Sequence, residues 1–235
     1  MKIKFVSLLA LLIIFAACMN PSFSAEAAEP VAYDASEGAY LYVIGENQLS
    51  LQYKGITGQF AWATGMLGYY PPDMRVFDYD NDGEKEIAVS ICLGTGTGVA
   101  IYELHIVKVE NGTLTAYTYE AEDYKKHIGD AVSFKTAREN GRLFIEFTSP
   151  KDRIRVDVTD DLNEDSPEDS AIKFMYGDIV RFVLGDNGAI ELQAVLGANV
   201  YWEYGTEFYA DLTAKVVFVE GGFKLSDIRL AAINY

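Results

Sequence analysis

The chain has 235 residues, of which 35 are Asp or Glu and 19 are Lys or Arg, for a formal net charge of −16. That balance excludes a general nucleic-acid binder, which needs clustered Lys and Arg against phosphate, and gives no charge attraction to an anionic lipid surface. Half of the residues are hydrophobic and 13% are aromatic, so the chain is not a disordered acidic tail, and it is long enough to bury a sizeable core as one large domain or two small ones.

The first 17 residues pair a basic start, Lys2 and Lys4, with an apolar run from Phe5 to Ala17. That run is too short to cross a hydrocarbon core of ~30 Å as a helix and reads as an export signal peptide. Two processing sites stay open. Phe15-Ala16-Ala17-Cys18 resembles the bacterial lipobox, which implies cleavage before Cys18, lipidation of that cysteine and a membrane-anchored, extracytoplasmic protein. The alternative is cleavage after Ala25-Glu26-Ala27 and secretion. Since the signal carries two bases and no acid, the exported part is more acidic still. Residues 18–36, small and polar with Pro21 and Pro30, are expected to form a tether. The remainder, 37–235, is expected to be a β domain, with a division into two packed subdomains near residue 125 left open.

Along that domain the hydrophobic period is mostly two. Strands are expected at 40–44 and 49–53, followed by the turn Lys54-Gly55 and a partner at 59–63. A loop covers 65–72, where Pro71-Pro72 blocks a ladder. Strands follow at 74–77, 86–93, 99–109 and 113–119, the second apolar enough to be buried on both faces and the last two joined by Asn111-Gly112. A helical turn is expected at 122–127, ending before Gly129. Strands at 131–136 and 142–148 flank Asn140-Gly141, and others are expected at 153–158, 172–176, 179–184, 190–196, 208–219 and 224–230, with Gly221-Gly222 as the last hairpin turn. Regular turn signals between β-rich runs predict a mainly β fold of antiparallel sheets, a sandwich or a partial propeller, with few short helices and no βαβ unit for a doubly wound nucleotide fold.

One motif carries chemistry. Residues 78–86 read Asp-Tyr-Asp-Asn-Asp-Gly-Glu-Lys-Glu. Side-chain oxygens at Asp78, Asp80 and Asp82 can converge on a hard cation if Gly83 lets the backbone curl. The Glu84 carbonyl then points inward and Glu86 closes the shell, a set suited to calcium, which takes 6–8 oxygens in irregular geometry. An EF-hand is excluded because its twelfth position is Val89. The bland alternative is an Asp/Asn/Gly turn without metal, whose four carboxylates then repel one another without compensation.

The stretch from Val76 to Val107 resembles the FG-GAP or VCBS-type calcium-loop repeat, in the single-copy form found in uncharacterised bacterial exported proteins and lipoproteins. Asp78, Asp80, Asp82, Gly83, Glu86 and Ile87 carry the loop, Gly94, Gly96, Thr97 and Gly98 the Gly-rich turn, and Glu103, Leu104 and His105 the following strand. The resemblance implies a structural calcium ion outside any active site.

Weaker features point less clearly. Gly94 to Gly98 lacks the Gly-Lys-Ser/Thr of a phosphate loop and reads as a tight turn or bulge. Cys92 reads as a small buried hydrophobe. Glu103 and His105, two apart on a strand, are either an acid/base pair or part of a half-exposed sheet face. Tyr69, Tyr70, Trp62 and Trp202 are a sugar-stacking platform or core aromatics. The run 157–169, with seven acids and no base, is a solvated loop or a second calcium site. Together these predict a calcium-stabilised, extracytoplasmic, lipid-anchored binding or interaction module with a protein or surface-polymer partner and no identified catalysis. The alternative is a carboxylate-based hydrolase of cell-surface polymers, which requires a cleft with two facing carboxylates outside the calcium loop.

Overall fold

The computed structural model describes residues 29–201 and 205–233. The signal peptide, Cys18 and Trp202 lie outside them. The described strands are β1 (Ala32–Asp34), β2 (Ala39–Gly45), β3 (Gln48–Tyr53), β4 (Ile56–Phe60), β5 (Asp73–Phe77), β6 (Glu86–Gly96), β7 (Val99–Glu110) and β8 (Thr113–Tyr119). A helix α1 (Ala121–Ala131) follows, then β9 (Ser133–Glu139), β10 (Arg142–Thr148), β11 (Arg153–Asp157), β12 (Phe174–Leu184), β13 (Ile190–Ala198), β14 (Glu207–Val219) and β15 (Gly222–Ala232). The fold is mainly β, as the alternation predicts. No described helix is long and apolar enough to cross a membrane.

Three sheets form. The first runs β1-β2-β3-β4, the second β11-β10-β9, and the third β15-β14-β13-β12-β7-β6-β5 with β8 on β7, curled into a half-barrel. Among the described residues all pairings are antiparallel except β12 with β7, which meet in parallel at Ile179 and Ala100. That contact joins chain segments from either side of residue 125, which itself lies inside α1. The expected tether needs correction, because Ala32–Asp34 pairs with Ala39–Leu41 of β2 and so belongs to the folded part.

Two cores share the β6–β7 hairpin. Ile87, Val89 and Ile91 of β6 and Val107 of β7 face a smaller core with Leu41, Leu51, Tyr53, Trp62 and Met74. Ala88, Leu104 and Ile106 face a larger one built with α1, β10 and β12 to β15. Strand β6 is thus buried on both faces, as its unbroken apolar run predicts. Phe134, Phe147 and Phe174, with ring centroids 5.4–5.7 Å apart, seat the three-stranded sheet against β12.

The helix runs four residues past its expected end. Gly129 is not a stop: the Tyr176 hydroxyl comes so close that a Cβ there would lie 2.5 Å from it. The glycine is needed for packing, and the helix continues until the Val132 N–H closes on the Ile128 carbonyl. Tyr124 and Ile128, one turn apart, are its buried anchors. A second glycine ties the β12–β13 turn to β5. Gly188 has φ +76° and a Cβ there would lie 2.1 Å from the Phe77 ring, while Arg75 Nε reaches Asp186 at 3.4 Å. Gly188→Ala is expected to lower stability by about 1–2 kcal/mol from the left-handed backbone alone, with a further loss as Phe77 is pushed aside. Urea unfolding would show it, and an unchanged midpoint would contradict this packing.

Candidate metal centre and the surrounding sites

The acidic loop spans the gap between β5 and β6, whose ends are held together by the Phe77–Glu86 pairing. Positive φ values at Asn81 (60°) and Gly83 (94°) curl it. Its carboxylates bind its own backbone: Asp78 accepts from the N–H groups of Asp82 (3.1 Å) and Gly83 (3.0 Å), and Glu86 Oε2 accepts from Tyr79 N–H (2.8 Å). These bonds aim the side chains inward. One ligand oxygen from each of Asp78, Asp80 and Glu86 falls within 4.8 Å of the others, an acidic triad that can hold a metal ion.

Asp82, the third expected Asp ligand, lies outside this triad, and the expected ligand at Glu84 is its backbone carbonyl rather than its side chain. Asp82 points to Lys108, 2.8 Å away, and accepts the Glu84 N–H at 2.9 Å. The Glu84 side chain is exposed. Lys108, on β7, was invisible to the loop pattern because 28 residues separate it from Asp80. Its ammonium hydrogen-bonds Asp80 and Asp82 and lies 3.7 Å from Glu86. Burial opposes the Lys108 charge, but the bonds to Asp80 and Asp82 and the nearby Glu86 carboxylate outweigh it and hold the pKa above the ordinary lysine range. Burial pushes the Glu86 carboxyl up, with Asp80 and Asp82 adding to the shift and Tyr79 N–H and Lys108 opposing it.

Lys108 therefore supplies the compensation that a metal-free acidic turn would otherwise lack. The donor set still fits a hard cation: it is all oxygen, it is anionic, and its lysine sits on a flexible four-carbon stem that can swing aside. An entering divalent ion must displace one ammonium.

The remaining candidates resolve into distinct environments. His105 is buried, with Nδ1 3.1 Å from Thr118 Oγ1 and its ring stacked on Trp62 at 4.1 Å. Trp62 stacks in turn on Phe60 at 4.5 Å, so it is a core aromatic and not part of an exposed platform. Glu103 Oε2 is 3.6 Å from His105 Nε2, longer than a hydrogen bond, and burial and then Glu120 raise its pKa. His127 Nδ1 lies 2.6 Å from the Tyr119 hydroxyl. Cys92 is buried and free, and Gly96 to Val99 form the β6–β7 hairpin tip.

The run 157–169 is not simply solvated. Asp157 pairs with Arg142, Asp161 accepts from the Tyr209 hydroxyl at 2.9 Å, and Asp169 takes both arms of Arg138 at 2.7 Å. Among the described residues, only the Asp78, Asp80 and Glu86 oxygens converge as a metal-holding group.

A groove of about 710 Å³ lies at the far end of the β6–β7 hairpin. Glu86 begins β6 and the groove residue Tyr102 pairs with Cys92, six residues further along it, so loop and groove are separated by roughly 20 Å at ~3.3 Å per residue. The groove's residues include one carboxylate, Asp211. Comparison with models of protein families, with curated proteins and with solved structures finds no match to this chain.

Proposed function

We propose that the chain is a calcium-stabilised extracytoplasmic binding module, lipid-anchored through Cys18, in which the ion braces the scaffold and takes no part in a reaction. The observation that carries this reading is the convergence of Asp78, Asp80 and Glu86 at the joint between β5 and β6, where the two cores meet. The D-x-D-x-D-G spacing and its resemblance to FG-GAP/VCBS-type loops favour calcium among hard cations. The roughly 20 Å of strand between loop and groove favours a bracing role. A hydrolase of surface polymers needs two facing carboxylates, and among the described residues the groove presents Asp211 alone.

An ion that binds only the folded state at 100 times its Kd adds about 2.7 kcal/mol. In a chain of this size that raises Tm by about 5–10 °C. Thermal melts in calcium and in chelator, with calorimetric titration of calcium alone, test this. An unchanged Tm together with no heat of binding would overturn the calcium reading. For the anchor, mass spectrometry of the mature N-terminus is expected to find an acylated Cys18, and a free Ala28 would mean secretion instead.

A further inference from the structure

We propose that the groove at the β6–β7 hairpin tip binds a glycan segment carrying a single carboxylate, such as one uronic acid in an otherwise neutral chain. The proposal does not depend on the calcium loop.

The floor of the groove is the solvent-side face of β12, β13 and β14. Along these strands Phe182, Leu192, Ala194 and Leu212 are buried in the larger core. The alternating residues are therefore turned the other way by the two-residue period of the strand. Arg181, Gln193 and Thr213 stand in one register row across the three strands, and Asp211 stands opposite Val195 in the next row on the same face. With strands ~4.8 Å apart, the row spans roughly 10 Å, the length of about two sugar rings. Tyr70 and Tyr102 line the same groove, and Thr95 at the hairpin tip bonds the Tyr70 hydroxyl at 3.5 Å.

The charge pattern defines the ligand. Seven arginines occur in a chain with 35 acids. Arg75, Arg138, Arg142, Arg153, Arg155 and Arg229 each pair with a carboxylate. Among the described residues Arg181 does not: its Nε donates to Gln193 Oε1 at 2.7 Å, and Gln193 Nε2 donates on to Glu191 at 2.6 Å. The guanidinium is thus oriented by a neutral amide, with further N–H donors left for a planar bidentate acceptor. A carboxylate on the ligand is the matching group. A polyanion is disfavoured, because Asp211 lies in the same groove and the whole chain is strongly negative.

The other lining groups suit hydroxyls. Gln193, Thr213 and Asp211 offer donors and acceptors at fixed spacing, and the tyrosine rings offer flat faces to the C–H side of a pyranose. An extended peptide is less well served. Strands β13 and β14 are paired on both sides, so no free backbone edge is available there for strand addition.

The test is calorimetric titration of the full mature chain with a xylotetraose bearing one glucuronic acid, with unsubstituted xylotetraose, and with a tetrapeptide having a free C-terminal carboxylate. The expected result is saturable binding of the acidic sugar, at least tenfold weaker binding of the neutral one, and weaker binding still of the peptide. Arg181→Gln should bring the acidic sugar down to the neutral level, and Tyr70→Ala should weaken both sugars by a similar factor. Unaltered thermal melts of both variants would show that they fold. No heat from the acidic sugar at millimolar concentration, equal affinity for the two sugars, preference for the peptide, or full acidic-sugar binding by folded Arg181→Gln would each overturn the proposal.

Discussion

Replacing Lys108 by Met is expected to destabilise the calcium-free protein by about 3–5 kcal/mol and to make calcium binding tighter. The two effects share one cause. Lys108 is the cation that faces Asp80, Asp82 and the buried Glu86, and it is itself mostly buried at 17% side-chain exposure. Removing it leaves the Asp80 and Glu86 carboxylates unpaired in a place water reaches poorly, while Asp82 is half-exposed. That is why the loss exceeds the ~1 kcal/mol or less of an exposed ion pair. The same removal frees the acidic triad for a metal that no longer has to displace an ammonium. Calcium should therefore rescue most of the stability lost in Lys108→Met, and should add less to the native chain. Urea unfolding of both proteins, with calcium and with chelator, gives the four stabilities needed. If calcium stabilises neither protein, the loop is a lysine-clamped turn and not a metal site. If Lys108→Met unfolds no more easily than the native chain in chelator, the clamp has no energetic role.

Lys108 also shows where sequence reasoning stops. The loop itself was legible, since its acids, its curl at Gly83 and its closing Glu86 are consecutive and their spacing encodes convergence. The hairpins at Asn111-Gly112 and Asn140-Gly141 were legible for the same reason, and the pairings Glu110–Thr113 and Glu139–Arg142 place both turns where the dipeptides do. The last hairpin slips by one: Val219 pairs with Gly222, so Glu220-Gly221 is the turn and Gly222 is already in the strand. Apart from that slip and the strand at 32–34, the misses are long-range. Lys108 alternates along β7 like any strand residue near a surface. The parallel meeting of β7 with β12 rests on one residue pair across the chain's middle third. The groove row exists only because β12, β13 and β14 pair in one register, which sets Arg181 beside Gln193 and Gln193 beside Thr213. The glycine at 129 is required by a tyrosine hydroxyl 47 residues further along the chain, and no local rule contains that contact.

His105 is expected to make the protein lose stability steadily as the pH falls below about 6.5, the value of an exposed histidine. Its ring is sealed between Trp62 and the sheet, its Nε2 is buried without a hydrogen-bond partner, and burial pushes its pKa down to about 3. Glu103, the nearest carboxylate, is 3.6 Å away and would favour a charged ring, but its own pKa is raised by burial and it does not reverse the effect. The folded protein thus keeps His105 neutral between pH 6.5 and 3, while the unfolded chain takes up a proton there. The unfolded state binds more protons, so acid favours it, by up to ~1.4 kcal/mol per pH unit and about 2–3 kcal/mol by pH 4.5. Above pH 6.5 both states are neutral at this ring and the contribution is fully present. Carboxylates titrate in the lower part of this window as well, so the comparison that isolates His105 is His105→Phe, which keeps an aromatic ring against Trp62 and has no proton to gain. Urea unfolding at several pH values should show a slope shallower by close to one proton in the variant between pH 6 and 5, where most carboxylates are already ionised in both states. Equal slopes in the two proteins would mean that His105 is protonated in the folded state, and that Glu103 closes on Nε2 to hold it so.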